Sequence, residues 1–207
     1  MPRNLPWPQS SGSTLLRCSL AAPLRLHARR AALCAQRTKT TALKQVEALC
    51  IKASELAGPG QKVVIANYLC PGNYAVSGSV AAIEAVEKIA KPDFKARMVV
   101  RLAVAGAFHT DFMAPAVEKL SAALAATPLA KPRLPVVSNV DGKPHSDPEA
   151  IKALLARQVT SPVLWEATLN TLLAKGMTES YELGPGKVIA GIMKRISKEA
   201  KITNIEA

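Results

Sequence analysis

Apolar positions from residue 43 to residue 196 fall in blocks that switch between helical and extended spacing. Leu43, Val46, Leu49, Cys50, Ala53 and Leu56 recur at helical spacing, and Gly58-Pro59-Gly60 stops that helix. Lys62-Val63-Val64-Ile65-Ala66-Asn67 predicts a strand, Pro71-Gly72-Asn73 a turn, and Tyr74-Ala75-Val76-Ser77-Gly78 the returning strand. Val80, Ile83, Val86 and Ile89 mark a second helix, closed by Lys91-Pro92, and the run Met98–Val104 predicts a buried strand.

That order is a ferredoxin-like β-α-β-β-α-β unit without its first strand. Nothing between Thr38 and Lys44 is apolar enough to supply one. Residues 42–104 are therefore expected to form a small subdomain with one strand missing and an unpaired sheet edge.

Beyond residue 104 the pattern is again α/β. Met113, Val117, Leu120 and Leu124 line one face of a helix ending near Thr127-Pro128, and Leu134–Val140 predicts a short buried strand entering an Asp141-Gly142 turn. Ser146-Asp147-Pro148-Glu149 is a helix start, with Ser or Asp as cap, Pro in the first turn and Glu completing a capping box. Ile151, Leu154 and Leu155 give that helix its buried face. A further helix spans about Pro162 to Lys175 with Trp165, Leu169 and Leu172 inward, Ser180–Leu183 is the last expected strand, and a helix through Val188, Ile192 and Ile196 follows.

Charge changes this picture in one place. The formal net charge is +12, yet residues 1–46 hold eight basic side chains and no acidic one, so the remainder is only mildly basic. No Lys/Arg cluster follows Lys44, which argues against a nucleic-acid surface. Residues 1–41 form a basic leader, rich in Arg, Ser and Pro and lacking a continuous apolar stretch. It fits an organelle transit peptide, or equally a mis-joined coding segment, and fits a secretory signal poorly. No apolar run is long enough to cross a membrane as a helix.

Four cysteines, at 18, 34, 50 and 70, show no C-x-x-C pair and no histidine at zinc spacing. Free thiols are expected, with Cys50 on a helix and Cys70 in a loop, and no metal site is expected.

The candidate chemistry centres on Gly106-Ala107-Phe108-His109-Thr110-Asp111, where a histidine falls between a strand and a helix. Such turns collect catalytic groups in α/β folds. His109 suits a general base if its other ring nitrogen is held by an acceptor, and otherwise a structural role beside the Asp111 helix. Small residues Ala105, Gly106 and Ala107 allow close approach of a substrate. Asp111 in the first helical turn complements the dipole rather than serving His109. Gln158, at a helix end, is left open between a cap and a ligand contact. Gly184-Pro185-Gly186-Lys187 lacks phosphate-loop spacing and predicts a strand-to-helix turn. No G-x-S-x-G elbow occurs, so the chain shows a base without a nucleophilic serine.

Taken in order, several segments resemble the malonyl-CoA:acyl-carrier-protein transacylase family of bacterial and plastid type. They are Ile65-Ala66-Asn67 with Pro71-Gly72 and Val76-Ser77-Gly78, then Gly106-Ala107-Phe108-His109 with Met113 and Pro115-Ala116. Val137-Ser138-Asn139-Val140, Arg157–Val163 with Trp165, and Glu182–Val188 with Lys194-Arg195-Ile196 complete the series. The resemblance implies that residues 105–207 are the C-terminal part of an α/β-hydrolase-like acyltransferase domain. It implies that His109 is the base of a Ser-His dyad and that the Gln158 backbone carbonyl orients it. Ala107-Phe108 is similar to transferases that accept malonyl groups. The implied chemistry is ping-pong acyl transfer in fatty acid synthesis, from malonyl-CoA to acyl carrier protein, without metal, redox group or other cofactor. A plastid is the implied location, with a mitochondrion, or the cytoplasm if the leader is not native, as alternatives. The family's glutamine loop, serine elbow and malonate-binding arginine are absent, so the chain is expected to be a C-terminal half that is inactive alone. Competing expectations are a piece of a polyketide or multifunctional synthase, and a non-catalytic module binding carrier protein or coenzyme A.

Overall fold

The computed structural model describes residues 30–36, 42–102, 104 and 106–206. Residues 1–29 and 37–41 of the leader, Cys18 and Ala105 lie outside the described residues. The described chain begins with strand β1 (Arg30–Gln36), then helix α1 (Ala42–Ala57), β2 (Val63–Cys70), β3 (Asn73–Ser79), α2 (Val80–Ile89) and β4 (Met98–Leu102). These strands form one antiparallel sheet in the order β2-β3-β1-β4.

The first strand is thus present, supplied by residues 30–36, which corrects the expectation of a subdomain lacking it. Leu33 pairs with Val76 on one side and Arg101 on the other, placing β1 inside the sheet. Its sequence, Arg-Ala-Ala-Leu-Cys-Ala-Gln, contains no β-branched or aromatic residue and so has weak intrinsic strand preference. Pairing with two distant strands sets its conformation, and that information is non-local.

Strand β4 is not buried as its apolar run suggests. It lies at the sheet edge, with Met98, Val100 and Leu102 exposed and only Val99 packed against the core. Arg101 makes a two-pronged contact to Glu87 on α2, at 2.9 and 2.7 Å.

Helices α1 and α2 cover one face of the sheet. Leu49, Val76, Ile83 and Val86 are almost fully buried between them, each stabilising the fold by about 1.5–3 kcal/mol. Ser54 latches α1 to the sheet: its hydroxyl donates to the Cys50 carbonyl (2.7 Å) and accepts the Val63 N–H (3.0 Å). Ser79 caps α2, accepting the Ala82 N–H. Gly78 lets β2 and β3 approach, since a Cβ there would meet the Lys62 carbonyl oxygen and lie 2.7 Å from the Val63 Cα.

A single 3-10 turn (Asp111–Met113) leads into α3 (Ala114–Ala126). Then come β5 (Val136–Val137), β6 (Pro144–His145), α4 (Pro148–Gln158), α5 (Trp165–Ala174), β7 (Glu179–Leu183), α6 (Val188–Ile196) and β8 (Lys201–Ile205). Three details depart from the pattern reading. The strand expected over 134–140 is two residues long, with Leu134 exposed, and forms a hairpin with β6. Asp147 caps α4 through the Ala150 N–H, while Glu149 pairs with Lys152 instead of completing a capping box. Ser180–Leu183 is not the last strand, because β8 pairs with β7 in parallel around α6.

A second cluster, Cys70, Leu169, Ile192 and Met193, lies between the far end of β2 and helices α5 and α6. Cys70 ends β2 and is fully buried, not in a loop. Strand β2 therefore joins both clusters: Val63 and Ile65 belong to the first, Cys70 to the second.

Candidate functional site

The chain between β4 and α3 turns sharply at His109, whose φ is +62°. A left-handed conformation costs a non-glycine residue about 1–2 kcal/mol, so surrounding bonds must hold it. Three do. The His109 N–H donates to the Val159 carbonyl at 3.0 Å. The Thr110 hydroxyl donates to the buried Ala107 carbonyl at 2.6 Å and accepts the Phe112 N–H at 3.3 Å, capping the 3-10 turn.

The imidazole is half-buried. Its Nδ1 lies 2.9 Å from the Gln158 carbonyl oxygen and 3.1 Å from the Ser161 carbonyl oxygen. Carbonyl oxygens only accept, so Nδ1 carries the proton and donates to both. In the neutral ring Nε2 then holds the lone pair, the arrangement required of a general base.

The acceptor loop is fixed by β2. A register shift between Ile65 and Asn67 bulges that strand, and Val163 pairs beside Asn67: its N–H donates to the Ala66 carbonyl and its carbonyl accepts the Tyr68 N–H, both at 2.8 Å. The next residue, Leu164, donates its N–H to the Asn139 carbonyl at 2.7 Å. The Gln158–Ser161 segment is thereby held between the end of α4 and the ferredoxin-like sheet.

Of the residues singled out from the sequence, His109 and Gln158 come together, 49 positions apart. Gln158 contributes its main-chain carbonyl, and the residue also lines a cavity of about 190 Å³ with Val137, His145 and Ile151. Asp111 is not a partner of the imidazole, because its carboxylate pairs with Lys62 at 2.8 Å. Ala107 is buried and Phe108 exposed. The glycine-proline turn is no phosphate cradle: the carboxylate of buried Glu182 already accepts the Ile189 and Ala190 N–H groups at the start of α6, at 2.9 and 3.0 Å. The Val159 and Ser161 carbonyls went unassigned from sequence, since main-chain acceptors leave no signature in residue type.

Cys50 and Cys70 are buried free thiols. Burial, with Glu47 nearby, pushes the Cys50 thiol up to about 12. Burial also raises Cys70, partly opposed by Arg195. Among the described residues no group of three or more His, Cys, Asp or Glu is placed to hold a metal, and no helix is long and apolar enough to cross a membrane.

The described residues form a ferredoxin-like sheet joined to a strand–turn–histidine–helix segment, an α/β arrangement that matches solved acyltransferases over most of this chain. The malonyl CoA-acyl carrier protein transacylase of Bacillus subtilis is 36% identical over 160 residues, covering 77% of this chain and 48% of the relative. A probable mitochondrial malonyl-CoA-acyl carrier protein transacylase of Drosophila melanogaster is 40% identical over 140 residues, covering 66% of this chain and 37% of the relative. A malonyl-transacylase solved in complex with a type II polyketide synthase acyl-carrier protein superposes with a TM-score of 0.78 at 28% identity, over 86% of this chain and 55% of that one. No family model matches. The chain belongs to the malonyl-CoA:acyl carrier protein transacylase family and corresponds to the C-terminal portion of its members. It spans about half the length of the Bacillus subtilis relative and rather less of the Drosophila one.

Proposed function

We propose that this chain supplies the histidine-bearing part of a malonyl-CoA:acyl carrier protein malonyltransferase. The observation that carries the reading is the Nδ1–H of His109 held by the Gln158 and Ser161 carbonyls, which leaves Nε2 as the base. The relatives supply the substrate class and the carrier-protein partner through their names.

In this reading a serine from the family's other half attacks the malonyl thioester while His109 Nε2 takes its proton. The proton passes to the coenzyme A sulfur as the C–S bond breaks, leaving a malonyl-serine ester. The carrier protein's phosphopantetheine thiol then gives its proton to Nε2 and attacks the ester, and the serine oxygen recovers that proton as it leaves. The two acyl transfers balance without a metal, redox group or other cofactor.

The two carbonyl acceptors do the orienting that a carboxylate does in other triads. They also stabilise the imidazolium that forms during attack, through partial rather than full negative charge. Ala107 and Phe108, just before the base, are the residues proposed to favour a malonyl over a branched acyl group.

An organelle is the proposed location. The transit-like leader and the word mitochondrial in the fly relative's name support it, and the latter favours a mitochondrion over the plastid expected from sequence.

The test is complementation. The N-terminal half of the Bacillus subtilis relative, joined ahead of the matched region of this chain, is incubated with malonyl-CoA and holo carrier protein. Malonylated carrier detected by mass spectrometry, absent with this chain alone, is the expected result. A folded fusion that transfers acetyl but not malonyl groups contradicts the substrate assignment.

A further inference from the structure

We propose that Thr110 is a positioning residue for the base: its hydroxyl locks the left-handed turn at His109 and so fixes which ring nitrogen carries the proton. The proposal rests on the reading of His109 as the base, but its test observes the ring rather than turnover, so the two fail separately.

Thr110 is 4% exposed, and its hydroxyl makes two bonds that straddle His109. The O–H donates backward to the Ala107 carbonyl at 2.6 Å, and the oxygen accepts forward from the Phe112 N–H at 3.3 Å. Ala107 itself is fully buried, so its carbonyl has little access to water as a substitute partner. The one residue enclosed between the donor bond's two ends with a positive φ is His109.

Rotation of His109 back to negative φ would move the Cα–Cβ bond, and with it Nδ1, off the two carbonyls it meets at 2.9 and 3.1 Å. The backbone bond from His109 to Val159 constrains only the N–H side of that residue. Thr110 constrains the other side. A hydroxyl is required at this position because one atom must donate and accept at once; the methyl group of threonine takes no part in either bond.

Lys62 and Asp111 pair across the outside of the same turn at 2.8 Å, with side chains 54% and 81% exposed. An ion pair so exposed is screened by solvent and cannot replace the buried hydroxyl.

Long-range nitrogen–proton spectra of the full chain, with His109 assigned against a His109→Gln variant, test this directly. The wild type is expected to show one tautomer, protonated at Nδ1, at a pH where the ring is neutral. Thr110→Val and Thr110→Ala are expected to give mixed tautomers and at least about tenfold faster solvent exchange of that proton, the factor expected when one buried hydrogen bond is removed. Thr110→Ser is expected to restore the wild-type tautomer and an exchange rate within about twofold. Retention of the single tautomer in the valine or alanine variant overturns the proposal. Loss of it in the serine variant overturns it too, because packing of the methyl group would then be responsible. Should neither non-hydroxyl variant fold, the wild type decides. The Phe112 amide and the His109 ring proton are then expected to share one opening, and protection factors, each taken against that group's own unprotected exchange rate, that differ by more than about tenfold overturn the coupling.

Discussion

The His109 Nδ1 atom lies 2.9 Å from the main-chain carbonyl of Gln158. The Ser161 carbonyl at 3.1 Å shares the same proton. A carbonyl orients an imidazole as a carboxylate would, but without a buried negative charge to desolvate. The acceptor is also independent of the side chain that follows it.

That independence predicts that Gln158→Ala leaves His109 in place. The acceptor is a main-chain oxygen, so truncating the side chain leaves it intact. In the complemented enzyme kcat/KM is expected to change by less than about threefold, and the imidazole tautomer to be unchanged. A loss of a hundredfold would show that the amide, not the carbonyl, acts on the base.

Gly78→Ala is expected to destabilise the fold by about 2 kcal/mol or more, through collision with the Lys62 carbonyl and Val63 Cα. The effect is read as a lower urea midpoint at unchanged slope. An unchanged midpoint would mean that β2 and β3 do not approach as closely as described.

Cys50 should resist alkylation at pH 8 in the native chain. Burial and Glu47 hold its thiol up at about 12, so almost none is thiolate. Iodoacetamide labelling followed by peptide mass spectrometry is expected to leave Cys50 unmodified until denaturant is added. Rapid native labelling would contradict the packing of α1 against the sheet.

The turn of the β5–β6 hairpin carries an acid-sensitive contact. Burial raises the Asp141 carboxyl, but the Lys143 N–H at 3.0 Å and the His145 ring at 3.0 Å outweigh it, and the net position lies below the ordinary value of 3.8. A depressed carboxyl stabilises the fold above its unfolded pKa and loses that contribution as pH falls through the folded one. Asp141→Asn is therefore expected to lower Tm relative to wild type at pH 5–6, with the gap closing below pH 3.8. A gap that widens on acidification would reverse the assignment.

The periodic apolar runs made most of the helices and the β2–β3 hairpin legible in the sequence, because each buries a face that its own spacing encodes. Arg30–Gln36 was not legible, since alanines between arginines show no strand preference and the pairing partners lie more than 35 positions away. Nor was β8, where Lys201, Thr203 and Asn204 interrupt the apolar pattern and parallel pairing to β7 decides the conformation. In β4 the apolar run was real, but its edge position leaves one face uncovered. At the site, His109 was marked by its place between strand and helix. Gln158 came from the ordered family motifs, and the Val159 and Ser161 carbonyls from neither.

The proposed role of His109 is that of the base in malonyl transfer. It is tested most directly by His109→Ala in the complemented enzyme, with malonyl transfer to holo carrier protein measured under single-turnover conditions. Loss of the general base predicts a rate reduced by about 10³-fold or more, with the fusion still folded and still binding malonyl-CoA. A rate within tenfold of the unsubstituted fusion would contradict it.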